Sequence, residues 1–283
     1  MKQLNGWWVD DDCNDDGIKN WDADSWQNHF VQFSVDTFVE KRPIKIVLDI
    51  GANIGQSALG WAKHCNKVIS FEPHPIMFEC LEKNVEESGY DNIELHNIGL
   101  SNKTEILTFK RHLYKDGISR FMYPSELKNF QKWIRDQKQL VENKRMIPVH
   151  SSSELPVTTL DKHFIDNPIE SGRITVIKID VESWELKTLV GAQETINNNL
   201  PLLIVEMSKT RPIESESDTY ENTFKFLKKR MNYVLIFKRR SDHYFAHRNN
   251  VKPIFDKHFK TTKWATDPKR WENMEFEWKP EET

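Results

Sequence analysis

A chain of 283 residues can bury one large domain or two small ones, and its 38% hydrophobic and 11% aromatic residues are enough to exclude extended disorder as the main state. Charged residues make up 29% and sum to −3, a field too weak to steer the whole chain onto nucleic acid or an anionic membrane, so such binding would need a local patch. No run approaches the roughly 18 apolar residues of a membrane span, Met1 to Asp12 lacks the pattern of a secretory leader, and Cys13, Cys65 and Cys80 are odd in number without CxxC spacing; a soluble, cytoplasmic protein without a disulfide framework or zinc site is expected.

The first 24 residues hold seven Asp against two Lys and read as a polar lead-in with Trp7, Trp8 and Trp21 set into it. Asp24 or Ser25 caps an expected helix in which Trp26, Phe30, Phe33 and Phe38 recur at helical spacing, and Pro43 ends it. Residues 1–43 are therefore read as an N-terminal extension. Ile44 to Ile50 (IKIVLDI) is apolar and β-branched enough for a buried parallel strand, broken by Gly51 to Gly55 before a helical stretch to about His64. Lys67 to Glu72 predicts a second strand, Pro75 to Glu87 a helix stopped by Gly89, and Asn92 to Leu100 a third strand.

Thr104 to Lys110 predicts an added strand, after which the alternation lapses from about 111 to 156. Residues 110–146 carry ten Lys/Arg against four Asp/Glu, with Leu127, Phe130, Trp133 and Ile134 spaced as an amphipathic helix. Taken by itself this basic insertion reads as a solvated helix face. Strands then follow at Val157 to Phe164 and Ile174 to Val181, a helix from about Trp184 to Ile196, and a strand at Pro201 to Met207. A helix through Tyr220, Phe224, Leu227 and Met231 leads to two strands, Tyr233 to Lys238 and His243 to His247. This order predicts an α/β fold with a central, mostly parallel sheet over residues 44–247 and a Trp-rich C-terminal extension over 248–283.

Ligands of open α/β sheets sit at the carboxyl ends of the strands, and here those ends carry Asp49, Glu72, Asp180 and Glu206, with Glu182 just beyond. Asp49 to Gly55 forms a DxGxxxG turn whose glycines are expected to leave backbone N–H groups open to a ligand. Glu72 follows Gly51 by 21 residues at the end of the second strand, where a carboxylate accepts both hydroxyls of a ribose. Turn and acid together predict a nucleoside-bearing cofactor. Period-two alternation places Lys178, Asp180 and, if the strand persists, Glu182 on one side, a cluster suited to deprotonating a hydroxyl, holding a divalent cation or orienting a substrate. Lys178 and Asp180 also read simply as a neutralising pair. His243 and His247 flank Phe245 and read as packed or surface residues rather than metal ligands.

VLDIGANIGQSA, SFEPHP, NIGLSN, VTTLD, IKIDVESWELKTLVGA and PLLIVE, in that order over about residues 44–245, resemble the FkbM-type S-adenosylmethionine-dependent methyltransferases. The resemblance implies a class I methyltransferase fold, Rossmann-like, with a seven-stranded sheet whose last strand is antiparallel. It also implies O-methylation of sugar, glycan or polyketide hydroxyls. By the same resemblance Asp49, Gly51, Asn53 and Gly55 surround the methionine end of S-adenosylmethionine, Glu72 holds the ribose, and Asn97, Gly99 and Leu100 lie near the adenine. Asp180, Glu182 and Glu206 face the methyl group and acceptor, as base, orienters or ligands of a divalent metal. The resemblance also places variable substrate-facing segments at the basic insertion, which implies a lid over the acceptor, and Arg111, Lys115 and Arg120 there suggest an anionic acceptor. This chain departs from the family at Ser183, where a glycine usually follows Asp-Val-Glu. An RNA methyltransferase and a non-catalytic S-adenosylmethionine-binding module remain as alternatives, and a homo-oligomer is left open.

Overall fold

The computed structural model describes residues 1–11, 45–112, 119–122, 150–208 and 219–251, with Cys13, Ile18, Val31 and Ser34. In chain order the strands are β1 (Lys2–Leu4), β2 (Trp7–Val9), β3 (Ile46–Ile50), β4 (Lys67–Phe71), β5 (Ile93–His96), β6 (Gly99–Leu100), β7 (Glu105–His112), β8 (Arg120–Met122), β9 (His150–Thr158), β10 (Ile174–Ile179), β11 (Leu202–Glu206), β12 (Tyr233–Arg239) and β13 (Asp242–His247). The helices are α1 (Gln56–Ala62), α2 (Pro75–Ser88), α3 (Leu160–Asp166), α4 (Glu185–Val190), α5 (Gln193–Asn199) and α6 (Tyr220–Lys225), the last running into a π-helical turn at Phe226–Arg230. No helix among the described residues is long and apolar enough to cross a membrane.

Seven strands form the central sheet in the order β12-β13-β11-β10-β3-β4-β5, and β13, the last in sequence, is antiparallel to both its neighbours. This is the class I methyltransferase arrangement. Every residue of β3 and of β10 is buried, because helices cover both faces and leave no solvent-facing register. Ile46, Leu48 and Ile50 join one core and Val47 the other, so the alternation along β3 divides its side chains between the two faces. β3 lies between β10 and β4, where the strand order reverses, and the crevice outside the carboxyl ends opens there.

Four expected elements end differently. The third strand stops at His96, because the Asn97 side chain donates to the Glu72 and Pro73 carbonyls at 2.8 and 3.2 Å and turns the chain out of the sheet. Gly99 and Leu100 then pair with β9 in a second sheet, ordered β6-β9-β7-β8, to which the basic insertion contributes β8 and most of β9. The strand expected over Val157 to Phe164 ends at Thr158: Thr159 caps α3 by accepting from the Lys162 amide, and Asp161 accepts from the Glu194 and Thr195 amides at the start of α5. The polar lead-in contains a hairpin, β1–β2, rather than irregular chain. Of the helix expected over 24–43 only Val31 and Ser34 are described, both helical, and the helix expected over 127–137 and the tryptophans at 264, 271 and 278 fall outside the described residues.

The helix expected from Trp184 to Ile196 breaks into α4 and α5 at Gly191, which sits against the Ser101 backbone. A Cβ there would lie 2.0 Å from the Ser101 carbonyl oxygen. Gly191→Ala is therefore expected to cost about 1–3 kcal/mol in equilibrium urea unfolding through overpacking. An unchanged midpoint would mean that the two segments part freely.

Candidate active site

Lys178 and Asp49 stand side by side in the β10–β3 register. The Lys178 ammonium lies 3.2 Å from Asp180 Oδ2 and 3.7 Å from Asp49 Oδ1. Burial disfavours the ammonium, but the Asp180 and Asp49 carboxylates outweigh it and raise its pKa, so Lys178 is a fixed cation. Burial pushes the Asp49 carboxyl up despite Lys178, and neither of its oxygens receives a hydrogen bond of normal length. The Asp180 side chain is 29% exposed against 7% for Lys178 and 0% for Asp49, so Asp180 is the member of this triad that can touch a substrate. Lys178 thus neutralises the two carboxylates it lies between.

β10 ends at Ile179, so period-two alternation does not deliver Glu182. Instead Glu182 and Ser183 adopt successive left-handed conformations, φ 51° and 75°, and the turn brings the Glu182 carboxylate back. Carboxylate oxygens of Asp180, Glu182 and Glu206 all lie within 4.8 Å of one another. Ser183 occupies a backbone geometry that glycine adopts without strain, which accounts for the glycine expected there. In this chain the serine is held by its amide donating to Glu185 Oε1 at 3.0 Å and by Arg120, which donates to its Oγ at 3.3 Å.

Gly51, at φ 84°, has no room for a side chain: a Cβ would meet the Asp180 carbonyl oxygen at 1.9 Å. The expectation that this turn leaves its amides open is corrected. The Gly51 and Ala52 amides both donate to the Phe71 carbonyl, Gly55 donates to Ala52, and Asn53 donates to Glu72 Oε2 at 2.9 Å. Four of the five amides from Gly51 to Gly55 are thus occupied, three of them by Phe71 and Glu72, and Asn53 Oδ1 is buried without a hydrogen bond. Glu72 also accepts from the His74 amide at 2.9 Å, so its carboxylate is clamped by two backbone donors.

Asn97 is exposed beside Glu72, whereas Leu100 is buried in the core and Gly99 packs beneath Phe121 and Val157. Asp49, Gly51, Asn53, Glu72 and Asn97 therefore gather at the carboxyl ends of β3 and β4 and the three acids at those of β10 and β11, with Gly55 further on as the N-cap of α1. Of the cations expected to meet an anionic acceptor, Arg111 is buried and paired with Asp10 at 2.6 Å, Arg120 is buried against Ser183, and Lys115 lies outside the described residues. His243 is fully buried between the Tyr220 hydroxyl and the Ser241 carbonyl, a packed residue as expected.

A family model for the methyltransferase FkbM domain matches residues 49–235, well over half of the chain. The chain belongs to the FkbM methyltransferase domain family. This FkbM chain is 24% identical over 156 residues to Methyltransferase sdnD of Sordaria araneosa, covering 52% of the chain and 60% of that protein. It is 24% identical over 167 residues to Methyltransferase 1 of Beauveria bassiana, covering 58% and 65%. It thus spans less than two thirds of the length of these curated relatives. The crystal structure of methyltransferase FkbM from Methylobacillus flagellatus KT matches with a TM-score of 0.45 at 18% identity, over 75% of this chain and 47% of that one.

One carboxylate of the FkbM site was missed. Asp242 stands opposite Glu206 across the β11–β13 pair, and burial and the Asp180 charge push it up to about 6. It lay in what reads as a polar turn, and only the antiparallel register reveals it. The fold holds its proton up to about pH 6 whereas its ordinary value is 3.8, so stability falls as pH rises through that window. Asp242→Asn is expected to stabilise the chain near pH 8, on the order of 2–3 kcal/mol, with the gain gone below about pH 4. Thermal unfolding across pH checks this, and a gain independent of pH would contradict it.

Proposed function

We propose that this chain is an S-adenosylmethionine-dependent O-methyltransferase acting on a hydroxyl of a sugar, glycan or related small molecule. The observation that carries the reading is the crevice at the strand-order reversal, where the clamped Glu72 and the half-buried Asn53 stand at the ends of β4 and β3 and three carboxylates converge at those of β10 and β11. Membership of the FkbM family supports it. Bound S-adenosylmethionine supplies a methyl group made electrophilic by its sulfonium.

Glu72, its carboxylate set in place by the Asn53 and His74 amides at the end of β4, is the acceptor for the ribose hydroxyls. Asn53, half-buried in the turn, offers its Oδ1 to the ammonium of the methionine moiety, and Asp49, fully enclosed beside Lys178, adds negative charge without touching it. Asp180 receives the acceptor's hydroxyl proton. Lys178 pins its Oδ2 and so fixes how the carboxylate is presented. Glu182 and Glu206 orient the hydroxyl in line with the transferred group, which is the main requirement for a reaction whose electrophile is already activated. The same three carboxylates have the spacing and oxygen chemistry to hold a divalent cation that would acidify the hydroxyl. Activity lost to a chelator and restored by Mg²⁺ or Mn²⁺ distinguishes that role from direct proton acceptance.

Calorimetric titration with S-adenosylhomocysteine tests the reading. One-site micromolar binding is expected, weakened at least tenfold in Glu72→Ala. Asp180→Asn should keep affinity within a few-fold while its turnover on a methylated-sugar precursor panel falls at least a hundredfold. No binding by the parent chain would overturn the cofactor assignment, and undiminished turnover in Asp180→Asn would remove Asp180 from the chemistry.

A further inference from the structure

The β1–β2 hairpin precedes the segment matched by the family model, yet it is joined to the crevice. On α2, Asn84 is buried and its side chain makes three hydrogen bonds. Its Oδ1 accepts from the Trp8 amide at 2.7 Å, and its Nδ2 donates to the Trp8 carbonyl at 3.0 Å and to the Ile54 carbonyl at 2.8 Å. The amide thus pairs with Trp8 as a neighbouring strand would and, with the same nitrogen, ties down the turn that carries Asn53. Apolar packing follows the same path: Val9, Cys13, Ile18, Ile54, Met77 and Cys80 form one buried cluster.

The chain beyond β2 is anchored too. Arg111 of the second sheet donates to Asp10 at 2.6 Å and holds the Asp10 carboxyl below its usual range despite partial burial. Next to this pair His74 is buried and kept neutral, its ring 5.4 Å from Phe109 and its own amide on Glu72. The hairpin segment is therefore fastened at one end to the turn beside Asn53 and at the other to the wall beside Glu72.

We infer that the hairpin is an added wall of the cofactor crevice and that Asn84 is a positioning residue that sets the 51–55 turn for binding. The inference rests on the S-adenosylmethionine reading of this crevice. With Asn84 removed, the Ile54 carbonyl loses its donor and the turn relaxes, so the acceptors on Asn53 and the clamp on Glu72 are ordered only on binding.

The test has two readouts on the full chain. In Asn84→Ala, hydrogen exchange of a peptide spanning residues 50–56 is expected to accelerate at least tenfold without ligand, while the peptide containing β10 stays protected. Affinity for S-adenosylhomocysteine is expected to fall about tenfold. Trp8→Pro, which removes the amide that Asn84 accepts from, should show the same pair of changes at smaller size and serves if Asn84→Ala fails to fold. Unchanged exchange in the 50–56 peptide together with affinity within twofold of the parent overturns the inference. If the parent itself fails to bind S-adenosylhomocysteine, the cofactor reading falls, while the exchange readout still decides whether Asn84 orders the turn.

Discussion

The site depends on one buried charge. Lys178 holds its ammonium between Asp49 and Asp180, and the parallel register of β10 and β3 sets that contact. An acid as enclosed as Asp49 has no other charge partner close by in the geometry described, and its carboxyl is pushed up even so. The ion triad joins the strand that starts the glycine turn to the strand that starts the acidic turn. Asp180 continues the link through its backbone, with its amide on the Ile50 carbonyl and its own carbonyl against Gly51. The acids that end β3 and β10 are thereby held at a fixed separation by covalent chain and a salt bridge, not by loops alone.

Around this centre the second sheet is structural support for the acidic turn. Trp184, directly after Ser183, is buried, donates from Nε1 to Ser101 Oγ at 3.1 Å and packs near Phe121. Thr188 donates to the Leu100 carbonyl one turn later. Leu107, Phe109, Phe121, Leu155 and Val157 share a buried cluster with Trp184, so the sheet's apolar face is spent on holding that indole. The left-handed pair Glu182–Ser183 is strained for non-glycine residues, and such strain persists only where surrounding packing over-determines it.

Much of this was legible in the sequence because it lives in short-range patterns. IKIVLDI and ITVIKI announce strands buried on both faces, and the acids that end the strands mark the crevice whatever the details of the turns. What could not be read depends on contacts across long sequence separations. Nothing local says that the Gly51 amides are taken by Phe71, that Arg111 faces Asp10 rather than an acceptor, or that Asp242 stands opposite Glu206. The convergence of Asp180 with Glu182 was expected for the wrong reason: strand alternation suggested it, and a left-handed turn achieves it. Thr159 and Asp161 carried a legible cap signal that the apolar residues around them obscured.

The most direct test of the buried ion triad is equilibrium unfolding of Lys178→Met alone and combined with Asp49→Asn, near pH 7. Removing the ammonium strands two carboxylates, one of them fully enclosed, and the account predicts a loss of about 3–5 kcal/mol, much of it recovered when Asp49 is also made neutral. A Lys178→Met chain within about 1 kcal/mol of the parent, or a double variant no better than the single, would contradict the view that this charge holds the two halves of the site together.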